Sequence, residues 1–207
     1  MVGESERYQL DKQLHTGPIE SWSGLDRTLD RPVTIRLLDP ESEIGKRVQL
    51  QAWSLTRLEH SALLHVLDTV EVNGKFGLVT ESLPERNLEE YLSLNGTISL
   101  SETLTFAIQL GEALAALHSA GFVIGDLQAK HVGHRSDGTV VIVEGPPTGD
   151  ANKIPARPED DIASLGELIH ELLVGFRPQF DHQGQHELHP SITPPVQQVR
   201  RRSSDRD

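Results

Sequence analysis

The chain has 207 residues, 36% hydrophobic and 24% charged, which is enough for one globular domain or two small lobes with a buried core. Its formal net charge of −12 disfavours nucleic acid and anionic membranes as partners. The sequence has no cysteine, no run of about 18 apolar residues and no apolar signal region near Met1. We therefore expect a cytoplasmic protein without disulfides or a membrane-spanning helix.

The first part of the chain carries strand patterns around one helix. Five segments alternate apolar and polar side chains or are rich in β-branched residues: residues 8–14, a short stretch around Trp22, and residues 33–38, 66–70 and 75–80. Asn73-Gly74 predicts a tight turn between the last two. Ser42 is a candidate N-cap for a helix that extends to about Glu59.

The second part is mainly helical. The predicted helices are residues 88–94, 101–118 and 162–174, and two short strands are predicted near residues 131–134 and 139–143. Gly121 and Gly175 follow the two longer helices as C-terminal stops. The whole pattern predicts an α+β protein.

One stretch, from His118 to Pro146, reads HSAGFVIGDLQAKHVGHRSDGTVVIVEGP. It resembles the catalytic segment of eukaryotic-type protein kinases, in which H-R-D-L-K-P-x-N precedes a hairpin and D-F-G. Residues 26–40, DRTLDRPVTIRLLDP, resemble the family's A-x-D-x-x-L-x-R-x-V-A-I-K-x-L, and Asp160 to Gly166 resembles D-I-Y-S-L-G. The resemblance covers about residues 8–180, and the Arg-rich composition is similar to that of bacterial members.

The resemblance implies a protein kinase-like bilobal fold. We expect a five-stranded antiparallel small lobe with helix C over residues 1–83 and a shortened, mainly helical large lobe over residues 84–180. Residues 181–207 are expected to form a loop and a disordered tail. Only 14 residues separate Pro146 from Asp161, so most of the family's activation segment is missing.

The resemblance also implies a nucleotide pocket, here degenerate. The implied positions are Gly17, Arg36, Gln51, Thr80, Glu81 and Leu83. Gly17 is nearly alone where the phosphate-covering loop needs several glycines. Arg36 replaces the family's strand lysine and Gln51 the glutamate that pairs with it, which leaves an Arg36–Gln51 hydrogen bond as the nearest equivalent.

The adenine end of this pocket is implied at the hinge. There the backbone of Glu81 and Leu83 would contact adenine, and Thr80 would guard the pocket. Thr34 replaces a small alanine on the roof and adds a branched, polar group. Whether an adenine-shaped hole survives stays open at this point.

Among the groups that perform phosphoryl transfer, Asp126 is retained. Gln128 replaces the family's lysine, His131 its metal-binding asparagine, and Glu144 its metal-binding aspartate. Glu144 still offers carboxylate oxygen to Mg²⁺, but one methylene longer.

Three positions resemble structural residues of the family. Ile124 and Leu55 match positions that pack into its buried spines. Asp161 matches a buried aspartate that binds the catalytic-loop backbone, and it is also a candidate N-cap for the last helix.

We therefore expect a pseudokinase: a catalytically inactive domain that acts as a binding or regulatory signalling module. Its partner would be a protein, such as an active kinase, and it would bind ATP and Mg²⁺ weakly or not at all. One alternative is a weakly ATP-binding serine/threonine kinase with residual phosphotransfer through Asp126 and Glu144. The other is a fragment of a longer kinase-like protein.

Overall fold

A computed structural model describes residues 7–143 and 156–178 of the chain. The elements, in chain order, are β1 (Tyr8–His15), β2 (Ile19–Asp26), β3 (Arg31–Leu38), α1 (Glu43–Leu55), β4 (Val66–Val72), β5 (Lys75–Glu81), β6 (Arg86–Asn87), α2 (Leu88–Asn95), α3 (Leu100–Ser119), β7 (Val132–His134), β8 (Val140–Ile142) and α4 (Pro158–Val174). One 3₁₀ turn, Ala129–His131, precedes β7.

The small lobe is an antiparallel sheet with strand order β1-β2-β3-β5-β4. The side chains of its central strand, β3, alternate between the two faces of the sheet. Val33, Ile35 and Leu37 join an apolar cluster with β1 and β5, whereas Thr34 and Arg36 line a cleft on the other face. This alternation places two polar side chains in the cleft between the lobes.

Helix α1 packs beside this sheet. Ser42 caps it by accepting a hydrogen bond from Gly45 N at 2.9 Å. The helix ends at Leu55, four residues before the predicted end at Glu59. After Leu55 the backbone hydrogen bonds join residues three apart, such as that from Leu58 N to Leu55 O at 3.2 Å, so the regular helix ends. The Leu58 side chain still packs on the core.

The large lobe is built on the packing of α3 against α4. Phe106, Leu110 and Leu114 of α3 and Leu168 and Leu172 of α4 are at most 1% exposed. Helix α4 begins at Pro158, four residues earlier than predicted, because proline at the first position suits a helix start. The second sheet, β6-β7-β8, lies below the hinge.

Hydrogen bonds and an ion pair join the two lobes. Ile142 N donates to Ala62 O at 2.9 Å, and Leu64 N donates to Ile142 O at 3.1 Å. The Arg135 guanidinium contacts Ser61 O at 2.7 Å and the Glu81 carboxylate at 2.8 Å. The hinge is therefore held from the large lobe by an ion pair.

This architecture confirms the predicted α+β class and the five-stranded small lobe with its helix. The boundary near residue 83 stays a prediction, and the expected tail, residues 181–207, lies outside the described residues. In the part of the chain that the structure describes, no helix is long and apolar enough to cross a bilayer.

Candidate functional site

The cleft between the lobes brings together most of the predicted site residues. Its lining includes Thr34 and Arg36 from β3, Leu83 and Pro84 from the hinge, and Gly133 from β7. Thr80 and Arg36 also line a deeper apolar pocket beneath α1. Gly17 is exposed in the turn between β1 and β2, and Glu144 lies outside the described residues.

At the hinge, the backbone groups expected to contact adenine have partners within the chain. Leu83 N donates to the Thr34 hydroxyl at 3.2 Å. The Thr80 hydroxyl, 1% exposed, lies 3.0 Å from Glu81 O and donates to it. Thr34 is 2% exposed. The roof of the pocket therefore bonds directly to the hinge.

Below the hinge, Pro84 lies against Gly133. A Cβ at Gly133 would be 2.6 Å from Pro84 Cγ and 2.9 Å from Val143 Cγ1, closer than any real side chain approaches. A glycine is therefore required here by close packing, and the proline ring fills the space above it.

Arg36 points towards the end of β8. Its guanidinium donates a hydrogen bond to Val143 O, which joins β3 to the large lobe across 107 residues of sequence. Gln51 Oε1 is buried and has no hydrogen-bond partner within residues 7–143 and 156–178. The Arg36–Gln51 hydrogen bond considered from the sequence is therefore not made, because Arg36 reaches the backbone carbonyl instead.

The loop that would cover phosphates is a plain hairpin turn. A side chain at Gly17 would meet His15 alone, at 3.3 Å from Nε2, and its backbone does not require glycine. Glu20, just beyond, accepts hydrogen bonds from Lys75 and from Trp22 Nε1. Lys75 is the main cause that lowers the pKa of Glu20, so its negative charge is fixed beside this loop.

The Asp126 carboxylate is bonded at both oxygens. Arg177 Nη2 donates to Oδ1 at 2.9 Å, and the Gln128 amide donates to Oδ2. Arg177 also reaches Glu167 of α4, with Nε donating at 2.8 Å. Arg177 follows α4 in the chain, so the ion pair connects the catalytic loop to the end of that helix.

Sequence reasoning assigned no role to Arg177. Its position just after the last predicted helix gave no sign of a contact with Asp126, which lies 51 residues earlier. The signal that could have suggested an ion pair was the presence of an arginine just after α4.

His131 lies beside Asp126 and faces its backbone. The imidazole Nδ1 is 3.1 Å from Asp126 O, a geometry in which the ring nitrogen donates. Imidazole offers nitrogen where Mg²⁺ prefers oxygen ligands. The described residues hold no group of three or more acidic or histidine side chains arranged to bind a metal.

Asp161 is fully buried under the catalytic loop. Its carboxylate accepts hydrogen bonds from Ile124 N at 3.0 Å and Gly125 N at 2.5 Å, and lies 2.7 Å from His118 Nε2. Asp161 is not the N-cap, because α4 begins at Pro158. It therefore fixes the backbone just before Asp126.

Two other side chains predicted to be structural lie in the core. Leu55 of α1 is 7% exposed and belongs to the main apolar cluster, and Ile124 packs against that cluster from the catalytic loop.

The sequence matches the profile of a known family, described as protein tyrosine and serine/threonine kinase, over residues 20–144. The serine/threonine-protein kinase PknL of Mycobacterium tuberculosis is 28% identical over 204 residues, covering 83% of this chain and 50% of PknL. A probable serine/threonine-protein kinase PknB of Corynebacterium glutamicum is 29% identical over 152 residues, covering 68% of this chain and 23% of that protein. PrkC of Bacillus subtilis is 26% identical over 133 residues.

The chain spans half or less of the length of these relatives. The family profile and these similarities agree with the observed fold. The chain belongs to the eukaryotic-type protein kinase family, with bacterial serine/threonine kinases among its relatives.

Proposed function

We propose that this kinase-family domain does not transfer phosphate and acts as a binding or regulatory signalling module. The observation that carries the proposal is the environment of Asp126. A carboxylate that orients a substrate hydroxyl must keep an oxygen available to it. Here Arg177 donates to one carboxylate oxygen and Gln128 to the other, so both oxygens already have a partner within the chain.

The other groups of phosphoryl transfer support the same proposal. The family's lysine, glutamate, second lysine and two metal ligands correspond to Arg36, Gln51, Gln128, His131 and Glu144. Arg36 donates to a backbone carbonyl and Gln51 Oε1 has no partner among the described residues, so the two side chains do not form an equivalent of the family's lysine–glutamate pair. Groups that act as a unit lose activity together, so partial retention does not imply partial activity.

The described residues do not fit Mg²⁺ and ATP. His131 supplies no oxygen ligand, Glu20 places a carboxylate beside the turn at Gly17, and the chain carries a net charge of −12. No reaction step is therefore assigned to the cleft.

A phosphotransfer assay with radiolabelled ATP and Mg²⁺ tests the proposal. We expect no label on the protein itself or on a generic substrate such as casein, for the wild-type chain and for Arg177→Ala alike. The Asp126→Ala variant is the matched control. Label that appears with the wild-type chain and disappears in Asp126→Ala would overturn the proposal.

Residual kinase activity is the second candidate, and the exposure of Asp126 favours it. The Asp126 side chain is 48% exposed, so a substrate hydroxyl has access to it from solvent. If Arg177 were all that blocked Asp126, Arg177→Ala would transfer label and Arg177→Ala/Asp126→Ala would not.

A stripe on α1 supports the proposed binding role. Leu50 and Trp53 are 85% and 71% exposed, and the Arg57 guanidinium lies 4.5 Å from the centre of the Trp53 ring. Lys46 lies one turn before Leu50 on the same face. Trp and Arg are enriched among residues that dominate binding energies. The stripe is apolar with a cation at each end, which fits an acidic protein segment that carries apolar side chains.

Trp53 fluorescence in a Trp22→Phe background tests this surface. A peptide of Glu, Leu and Phe should shift the emission saturably, and salt or Arg57→Glu should weaken the effect. An equal response to the same peptide with Lys in place of Glu would contradict the assignment of an acidic partner.

A further inference from the structure

The hydrogen bond between Thr34 and Leu83 links the roof of the cleft to its hinge. Thr34 lies in the middle of β3, opposite Ser23 of β2 and Thr80 of β5. Its side chain, which must face the cleft because Val33 and Ile35 face the outer cluster, reaches Leu83 N across 49 residues of sequence. The position of the hydroxyl is therefore fixed by the sheet and not by a mobile loop.

A backbone N–H in a cleft needs a hydrogen-bond acceptor. In this protein the Thr34 hydroxyl is that acceptor, at 3.2 Å, and the side chain that carries it is 2% exposed. The neighbouring hinge carbonyl, Glu81 O, accepts from Thr80. A purine that approached the hinge would have to break the Thr34–Leu83 bond and displace the branched side chain.

The lower wall of the cleft at the hinge is formed by Pro84 and Gly133. The Pro84 ring packs on Gly133, with Cγ 2.6 Å from where a Cβ would lie, so Gly133 has no room for a side chain. Thr34, Leu83 and Pro84 nevertheless border a cavity between the lobes. Thr34 is therefore the group that occupies the hinge N–H.

We propose that Thr34 is an internal plug of the purine site: its hydroxyl occupies the hinge N–H, and its branched side chain occupies the space next to it. The inference rests on the proposed function, since it explains how a kinase-family cleft excludes nucleotides. A substitution that shortens this side chain should therefore reverse the exclusion. Removing the Thr34 side chain exposes Leu83 N–H and converts the hinge into a purine-binding site.

Calorimetric titration with adenosine, without Mg²⁺, tests the plug. We expect Thr34→Ala to bind adenosine at least about tenfold more tightly than the wild-type chain, which is roughly the effect of one buried neutral hydrogen bond. Thr34→Ser keeps the hydroxyl, so its hinge N–H should stay occupied and adenosine should not bind more tightly than to the wild-type chain. Thr34→Val keeps the branch without the hydroxyl and should also exclude adenosine, while it unfolds more easily because Leu83 N–H loses its acceptor.

Two results would overturn the inference: no gain in adenosine affinity in a folded Thr34→Ala over the wild-type chain, or equal adenosine binding by Thr34→Ser and Thr34→Ala. Because adenosine has no phosphate, these results are independent of the phosphotransfer assay.

A measurement on the wild-type chain keeps the test valid if Thr34→Ala does not fold. Hydrogen exchange followed residue by residue should show the Leu83 amide protected in the absence of any ligand, relative to the amide of exposed Ser82. Equal exchange rates at Leu83 and Ser82 would show that the plug is not formed.

Discussion

Two aspartates of the large lobe have opposite surroundings. Asp161 is 0% exposed and holds the backbone of the catalytic loop, whereas the Asp126 side chain is 48% exposed and is bonded to other side chains. A buried carboxylate that accepts hydrogen bonds from backbone N–H groups is structural, because its removal leaves those N–H groups without a partner and out of reach of water. An exposed ion pair contributes little by comparison.

We therefore predict that Asp161→Ala destabilises the protein more than Asp126→Ala. Losing the acceptor for Ile124 N and Gly125 N costs about 1–3 kcal/mol per unsatisfied donor. Losing the partly exposed pair with Arg177 costs about 0–1 kcal/mol. Urea unfolding followed by circular dichroism measures both. Equal midpoints for the two variants would contradict the structural role of Asp161.

Asp26 carries the clearest pH dependence in the small lobe. It is 0% exposed and accepts hydrogen bonds from Arg7 Nε at 3.1 Å and Nη2 at 2.8 Å. The bonds with Arg7 are the largest cause of its lowered pKa, and burial opposes them in part. The folded state therefore favours the charged carboxylate.

Because the folded pKa lies below the ordinary value of about 3.9, this stabilisation is present above that pH and is lost as the pH falls through the folded pKa. Asp26→Asn should thus lose less thermal stability than the wild-type chain between neutral and strongly acidic pH. Asp30→Asn, at an exposed position in the next turn, is the control and should retain the wild-type pH dependence. The same change of melting temperature with pH in the wild-type chain and in Asp26→Asn would contradict the stabilising role of the charged Asp26 carboxylate.

For single residues, the sequence predicts which side chains take part in the site better than it predicts which groups they contact. The buried Asp161 of α4 and the hinge residue Leu83 were identified from their neighbours in sequence. Their counterparts in the long-range contacts, Arg177 with Asp126 and Thr34 with Leu83, were not, because each contact joins groups about 50 residues apart and depends on the path of the chain between them.

Among the elements, α1 and α4 contain glycines with different constraints. A Cβ at Gly45 of α1 would lie 1.9 Å from Asp39 O, while a Cβ at Gly166 of α4 would meet nothing within 4 Å. Helix propensity alone favours alanine at both positions by about 1 kcal/mol.

We predict that Gly166→Ala stabilises the protein by up to about 1 kcal/mol, whereas Gly45→Ala destabilises it. The clash at Gly45 is with backbone, so the turn before α1 or the helix itself must move. Chemical denaturation of the two variants provides the comparison. A stabilising Gly45→Ala would show that the cap at Ser42 has more freedom than the structure indicates.

The type of each element was predictable, and some of the ends were not. The apolar period continues past Leu55 to Leu58, because Leu58 packs on the core although it lies beyond the helix. The start of α4 was misplaced because the apolar period begins at Ile162, while the first turn is Pro and acidic residues. Those residues are themselves a helix-start signal.

In the whole molecule, the frame of the kinase family is kept and three long-range contacts connect its elements. Arg36 binds Val143 O, Thr34 binds the hinge, and Arg177 binds Asp126. The first contact joins the small lobe to the large lobe, the second joins β3 to the hinge, and the third joins the catalytic loop to the segment after α4.

Calorimetric titration of the full wild-type chain with ATP, with and without Mg²⁺, tests this account most directly. We expect no Mg²⁺-dependent binding, because Lys75 beside the Gly17 turn is already paired with Glu20, and Arg36 is already bonded to Val143 O. Thermal unfolding should likewise show no shift with the nucleotide, since a ligand stabilises only the state it binds. Micromolar binding that requires Mg²⁺ and is lost in Glu144→Ala would contradict the account.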